Sequence, residues 1–154
     1  MIERKIELIK ILWSGPYTPD QIRNNKKIGL YQIYGTHPIY GRNVLIYIGE
    51  TTTSFIDRIK AHQNWMQYEL DELVFYTGEI QSEEQNNIRY IKEAEKMLLY
   101  YTCPAYNSNL ISDYMKSKDF DDFEIIIMNF GKIGSLPYEV STFHYDSEVW
   151  DRIY

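Results

Sequence analysis

Three groups of residues in this 154-residue chain have the types and spacing to do chemistry. The first is one acid, Glu95. In the run from Ser82 to Tyr101, a helical turn of about 100° per residue places it with Ile88, Ile91, Leu98 and Leu99. Arg89, Lys92, Glu93 and Lys96 gather on the opposite side. An unpaired carboxylate on an apolar stripe is costly to bury. Glu95 therefore calls for a metal ion, a catalytic role, an Arg or Lys partner, or a wet stripe edge. The second group is Arg58 and His62, at i and i+4 and hence on one helical face. A guanidinium matches phosphate oxygens and an imidazole moves protons near neutral pH, although two polar residues also suit a plain solvated face. The third is the tyrosines Tyr31, Tyr34 and Tyr47. Their phenols act as bases only where neighbouring cations stabilise phenolate, and otherwise they are ordinary strand residues.

These residues need elements to position them. Gly29 to Tyr34 and Val44 to Ile48 read as two strands of a hairpin, with a long loop containing Gly35, Pro38 and Gly41. Tyr31 and Tyr47 then share a sheet face. Thr51 to Ser54 offers N-caps for a helix from about Phe55 to Trp65, which carries Arg58 and His62. Leu73 to Tyr76 reads as a third strand. Ser82 with Gln85 resembles a capping box opening the Glu95 helix, which Cys103-Pro104 ends. Phe123 to Met128 reads as a fourth strand, and a further strand is expected near Glu139 to Tyr145. At the N-terminus, Ile2, Ile6, Ile9 and Trp13 trace one face of an amphipathic helix over residues 2 to 13, stopped by Ser14-Gly15-Pro16. Pro19 is expected to keep the next segment extended. The expectation is one α+β domain over residues 1–154, with no Walker-type or dinucleotide-binding loop.

The formal charge of −6 argues against a domain that coats nucleic acid. The distribution is uneven, at +3 over residues 26 to 62 and −5 over each of 63 to 112 and 113 to 154. A phosphate-handling surface is expected at Lys26, Lys27, Arg42, Arg58 and Lys60. The one cysteine, Cys103, excludes an internal disulfide and suits a reducing compartment. With no signal-peptide or membrane-spanning stretch in the sequence, the expected location is the cytoplasm, with no membrane partner.

Gly29-Leu30-Tyr31 followed by Tyr47-Ile48-Gly49 resembles the paired signature of the GIY-YIG nucleases. Phe55 to His62 is similar to that family's helix, whose arginine lies about ten residues past the second tyrosine. Glu95 through Pro104-Ala105-Tyr106-Asn107 resembles its metal-binding glutamate and downstream Pro-x-x-Asn. The resemblance covers residues 28–107, leaving 1–27 as an N-terminal helix and lead-in and 108–154 as an acidic C-terminal extension. Many members carry Lys after the second glycine, where this chain has Glu50.

The resemblance implies a small three-stranded antiparallel sheet flanked by helices. It implies a metal-dependent endonuclease that hydrolyses phosphodiester bonds in nucleic acid, DNA ahead of RNA, with one Mg²⁺ or Mn²⁺ held by Glu95. Tyr31 would be the general base, Arg58 would stabilise transition-state charge, and Tyr47 and His62 would orient groups or relay protons. Gly29, Gly49 and Asn107 would support the site. The alternative is an inactive module of the same fold that docks a protein partner, and pairing with a second copy is also open.

Overall fold

The computed structural model describes residues 5–69, 71–81, 87–107 and 123–142. The N-terminal segment is a strand, β1 (Lys5–Tyr17), and not the expected helix. Ile9, Ile11 and Trp13 are buried while Ile6, Leu8 and Leu12 stay exposed, which is the period of two that places alternate side chains on opposite faces. The helical stripe and this alternation share Ile9 and Trp13, and the β-branched Ile11 between them belongs only to the second. Pairing on both sides then favours extended backbone over helix. β1 runs antiparallel to β4 (Val74–Ile80) and parallel to β5 (Phe123–Gly131). It continues past Ser14-Gly15-Pro16 through an irregularity between Ser14 and Tyr17.

The sheet has six strands in the order β3-β2-β4-β1-β5-β6, with β2 at Gly29–His37, β3 at Gly41–Thr51 and β6 at Glu139–Ser141. The expected small three-stranded antiparallel sheet is therefore corrected to a larger mixed sheet. The cause lies in segments outside the hairpin. β1 inserts beside β4, and β5 and β6, from the acidic extension, add beyond it. The β2–β3 loop is also tighter than expected, since the ladder runs to His37↔Gly41.

Among the described residues, three helices cover this sheet. In α1 (Pro19–Ile22) the Thr18 side chain and Gln21 form a reciprocal cap, and Pro19 occupies the first turn, where its missing N–H costs nothing. That Thr-Pro-Asp-Gln signal outweighed the extended reading of Pro19. Ser54 caps α2 (Phe55–Met66), accepting from the Asp57 N–H at 3.2 Å. α3 (Asn87–Thr102) carries Glu95, and the expected cap at Ser82 and Gln85 lies outside the described residues. Among the described residues no helix is long and apolar enough to cross a membrane.

Two apolar clusters result. Ile9, Ile11, Trp13, Leu30, Ile48, Ile125 and Ile127 pack with Ile91, Met97, Leu98 and Leu99 of α3. On the other side Tyr31, Ile33 and Phe75 pack with Ile22 of α1 and with Phe55 and Ile59 of α2. Strand β3 lies at the sheet edge between these layers, and the segment after α3 closes that edge. Tyr106 N–H donates to Ile46 O at 2.9 Å. The Asn107 side chain then accepts from Ile48 N–H at 2.9 Å and donates to Ile48 O at 2.7 Å. One amide thus replaces a missing strand neighbour, satisfying backbone groups that would be expensive to bury unpaired.

Candidate active site

Tyr31 and Tyr47 lie on one face because Tyr31 pairs with Gly49 and Ile33 with Tyr47 in the β2–β3 ladder. Their rings stack with centroids 5.9 Å apart. Both signature glycines have steric reasons. A Cβ on Gly49 would overlap the Tyr31 hydroxyl and ring, so glycine lets that ring lie across the β3 backbone. Gly29 has φ +145°, where only glycine is unstrained, and a Cβ there would strike the Gly78 carbonyl. Just before Tyr47 the ladder skips Ile46, a bulge of the kind that re-aims side chains beside functional sites.

The α2 face then meets the tyrosines. His62 Nε2 is 2.6 Å from Tyr31 Oη, and Trp65 Nε1–H donates to His62 Nδ1 at 3.2 Å. This pair of bonds decides the tautomer. A neutral imidazole has one donor and one acceptor. Nδ1 accepts from Trp65, so the proton sits on Nε2 and is donated to Tyr31. Burial, and then the charge of Arg58, lower the His62 pKa to about 4, so the ring is neutral at physiological pH. Tyr31 is wholly buried, and desolvation with the neighbouring Tyr47 pushes its pKa far above the ordinary phenol range. Arg58 acts on both phenols, and the Tyr31 hydroxyl is bonded towards Tyr47, favouring phenolate there against desolvation. The donors run from Trp65 through His62 and Tyr31 to Tyr47, the half-buried end of the chain.

The carboxylates approach from the α3 side. Alternation turns Ile48 and Glu50 towards α3 while Tyr47 and Gly49 face α2, so the cluster straddles the edge strand. Glu95 is 8% exposed and accepts a hydrogen bond from the Glu50 backbone N–H. Desolvation and then repulsion from the Glu50 carboxylate raise its pKa to about 7, with Arg58 and Lys96 opposing the shift. Glu50 Oε2 is buried and without a hydrogen-bond partner among the described residues. Glu7 and Glu93 also carry such an oxygen, but each has a cation of its own, Arg89 at 3.5 Å and Lys96 at 3.7 Å. Glu50 acts on Arg58, a cation that the tyrosines also engage.

Tyr31, Tyr47, Arg58, His62 and Glu95 are thus brought together, with Gly29, Gly49 and Asn107 shaping the frame. The remaining expected cations divide. Lys26 and Lys27 line a groove beside the start of β2, but Lys27 is held by Glu79 at 2.8 Å. Lys60 is exposed on α2. Arg42 is beside Asp71 at 4.0 Å, near the hairpin tip. Six residues of strand, at about 3.3 Å each, separate that tip from Tyr31, so Arg42 is not part of the cluster.

No known protein family, curated protein or solved structure matches this chain. The site therefore rests on its own geometry. Two of its members were not singled out from sequence. Trp65 was legible, being three residues after His62 on the same helical face. Glu50 stood only as a departure from the resembling family's lysine, and its contact with Glu95 depends on where α3 docks.

Proposed function

We propose that this chain is a GIY-YIG-type nuclease that hydrolyses a phosphodiester bond with one bound divalent cation. The observation that carries the reading is the assembly of a tyrosine–histidine chain, a shared arginine and two facing carboxylates around one edge strand. Two features of the carboxylates support a cation there. Two acids stand close enough to raise the pKa of one, and the other keeps a buried oxygen without a partner. No group of three or more His, Cys, Asp or Glu side chains placed to hold a metal ion occurs among the described residues. Two carboxylates completed by water and substrate oxygens suit Mg²⁺, which keeps much of its hydration.

Glu95 and Glu50 would hold the cation, which when bound would offset charge on the phosphate and the leaving oxygen. Arg58 would stabilise the phosphorane-like charge of the transition state. Tyr47, at the half-buried end of the donor chain, would accept the proton of the attacking water. Tyr31 has no exposed surface, so its part is to pass the polarising influence of His62 and Arg58 to Tyr47. DNA is the first substrate to test and RNA the second.

The test is nicking of plasmid and of RNA by purified protein with Mg²⁺ and with chelator, beside Glu95→Gln and Tyr47→Phe. The proposal expects cleavage that needs Mg²⁺ and is lost in both variants. Equal cleavage by wild type and Glu95→Gln would overturn it, and absence of any cleavage favours the protein-docking alternative.

A further inference from the structure

Beside the cluster lies a cleft of about 470 Å³ lined by Tyr47, Trp65, Tyr68, Glu69 and Tyr106. Its volume falls within the range of about 300–1,000 Å³ common to small-molecule sites. Four of its five lining side chains are aromatic and none is a cation. A phosphate would find an acid there and no positive partner, so the cleft does not suit the backbone of a nucleic acid. It suits a flat π-system with polar edges. Trp65 meets Tyr106 edge-on at 5.5 Å, and Tyr47 lies 6.2 Å from Trp65, leaving ring faces at different tilts around the cavity. Glu69 interacts with Tyr106 strongly enough to help burial raise that phenol's pKa, which places a carboxylate at the cleft wall. Such an acceptor matches the exocyclic amino group of a nucleobase.

The cleft is also continuous with the chemistry. Tyr47 stacks against Tyr31 and lies 4.8 Å from the His62 ring, so one residue belongs to both cavity and donor chain. We propose that this cleft is a stacking subsite for an unpaired nucleobase next to the scissile phosphate, so that the enzyme acts on single-stranded or locally unpaired nucleic acid. This rests on the nuclease reading. It also resolves the conflict between that reading and a net charge of −6. Base–aromatic stacking supplies affinity without phosphate neutralisation and tolerates any sequence.

The experiment uses the full chain without Mg²⁺ and a short oligonucleotide carrying 2-aminopurine, as single strand, as duplex, and with the reporter base replaced by an abasic site. The inference expects tighter binding of the single strand than of the duplex, and quenching of the aminopurine. It also expects the abasic strand to bind more weakly. Tyr68→Ala or Tyr106→Ala should weaken single-strand binding roughly five- to hundredfold, with Tyr106→Phe retaining it. Tyr68 is 77% exposed, so its variant carries the test even if Tyr106→Ala fails to fold. Equal affinity for intact and abasic strands, or unchanged affinity in the Tyr68→Ala variant, overturns the inference. Mg²⁺-dependent cleavage of intact duplex with no preference for unpaired strands overturns it too, and leaves the nuclease reading standing. Aminopurine quenching without cleavage of any substrate removes the nuclease reading and retains the cleft as a nucleobase site.

Discussion

In the β1-β5-β6 half of the sheet, buried polar groups close on one another, apart from Glu7 Oε2, whose charge is met by Arg89 at 3.5 Å. Trp13 Nε1–H donates to Asn129 Oδ1 at 2.8 Å, Asn129 Nδ2 donates to Pro137 O at 2.8 Å, and Ile125 N–H donates to Thr142 Oγ1 at 2.9 Å. Thr142 in turn donates to Glu124. In the β3-β2-β4 half the frame is equally well satisfied, through Asn107 and Ser54, but the centre is not. There a carboxylate pair repels, one buried oxygen has no hydrogen-bond partner among the described residues, and the imidazole and the Tyr31 phenol sit far from their ordinary pKa values. Satisfied polar networks specify a fold, whereas clustered pKa perturbation with an open valence marks where a fold does work.

The largest expected effect breaks this contrast at its centre. Glu95→Gln should reduce Mg²⁺-dependent cleavage by about 10³-fold or more while raising stability in mild alkali. The sign follows from the raised pKa. Folded Glu95 holds its proton to about 7 against an ordinary 4.5, so the folded state loses stability as pH rises through that window. The difference in melting temperature between the two proteins across that range checks it, and a variant that does not gain on wild type as pH rises would contradict it. Tyr47→Phe should lower the cleavage rate by about 10²–10⁴ without a comparable loss of stability.

Paired asparagine variants sharpen the contrast between the halves. Asn107→Ala leaves the Ile48 N–H and C=O unpaired, and Asn129→Ala does the same for the Trp13 N–H and the Pro137 carbonyl. Each should cost roughly 2–4 kcal/mol by urea unfolding. Only Asn107→Ala should also slow turnover per folded molecule, because it releases the strand that carries Tyr47. The smallest effect is at Trp65. Trp65→Phe keeps the ring but removes the N–H to His62 Nδ1, so the His62 pKa should rise from about 4, read by NMR titration of its ring protons. An unmoved titration would show that the bond does not set the tautomer.

Legibility in sequence differed between the same two halves. Short-range signals wrote the β2–β3 hairpin, α2 and the Glu95 stripe, because turn glycines, a Ser cap and a lone acid among apolar residues act within a few positions. Glu95 proved buried, and Arg58 and His62 share a face as their spacing required. β1 was misread because its apolar residues satisfy both a period of 3.6 and a period of two over thirteen residues. The choice between them is made by β4 and by β5, which lies more than a hundred residues away in the chain. The same long-range pairing enlarged the sheet beyond the three strands that the resemblance implied. Glu50 was legible as a residue type but not as a partner of Glu95.

The most direct test of the central claim is the rate of nucleic-acid cleavage as a function of Mg²⁺ concentration and pH. Cation binding needs ionised Glu95, so the apparent Mg²⁺ affinity should fall about tenfold per pH unit below about 7, with the saturated rate still rising in alkali as Tyr47 ionises. Cleavage that persists in chelator, or a Mg²⁺ dependence that does not change with pH, would contradict the account.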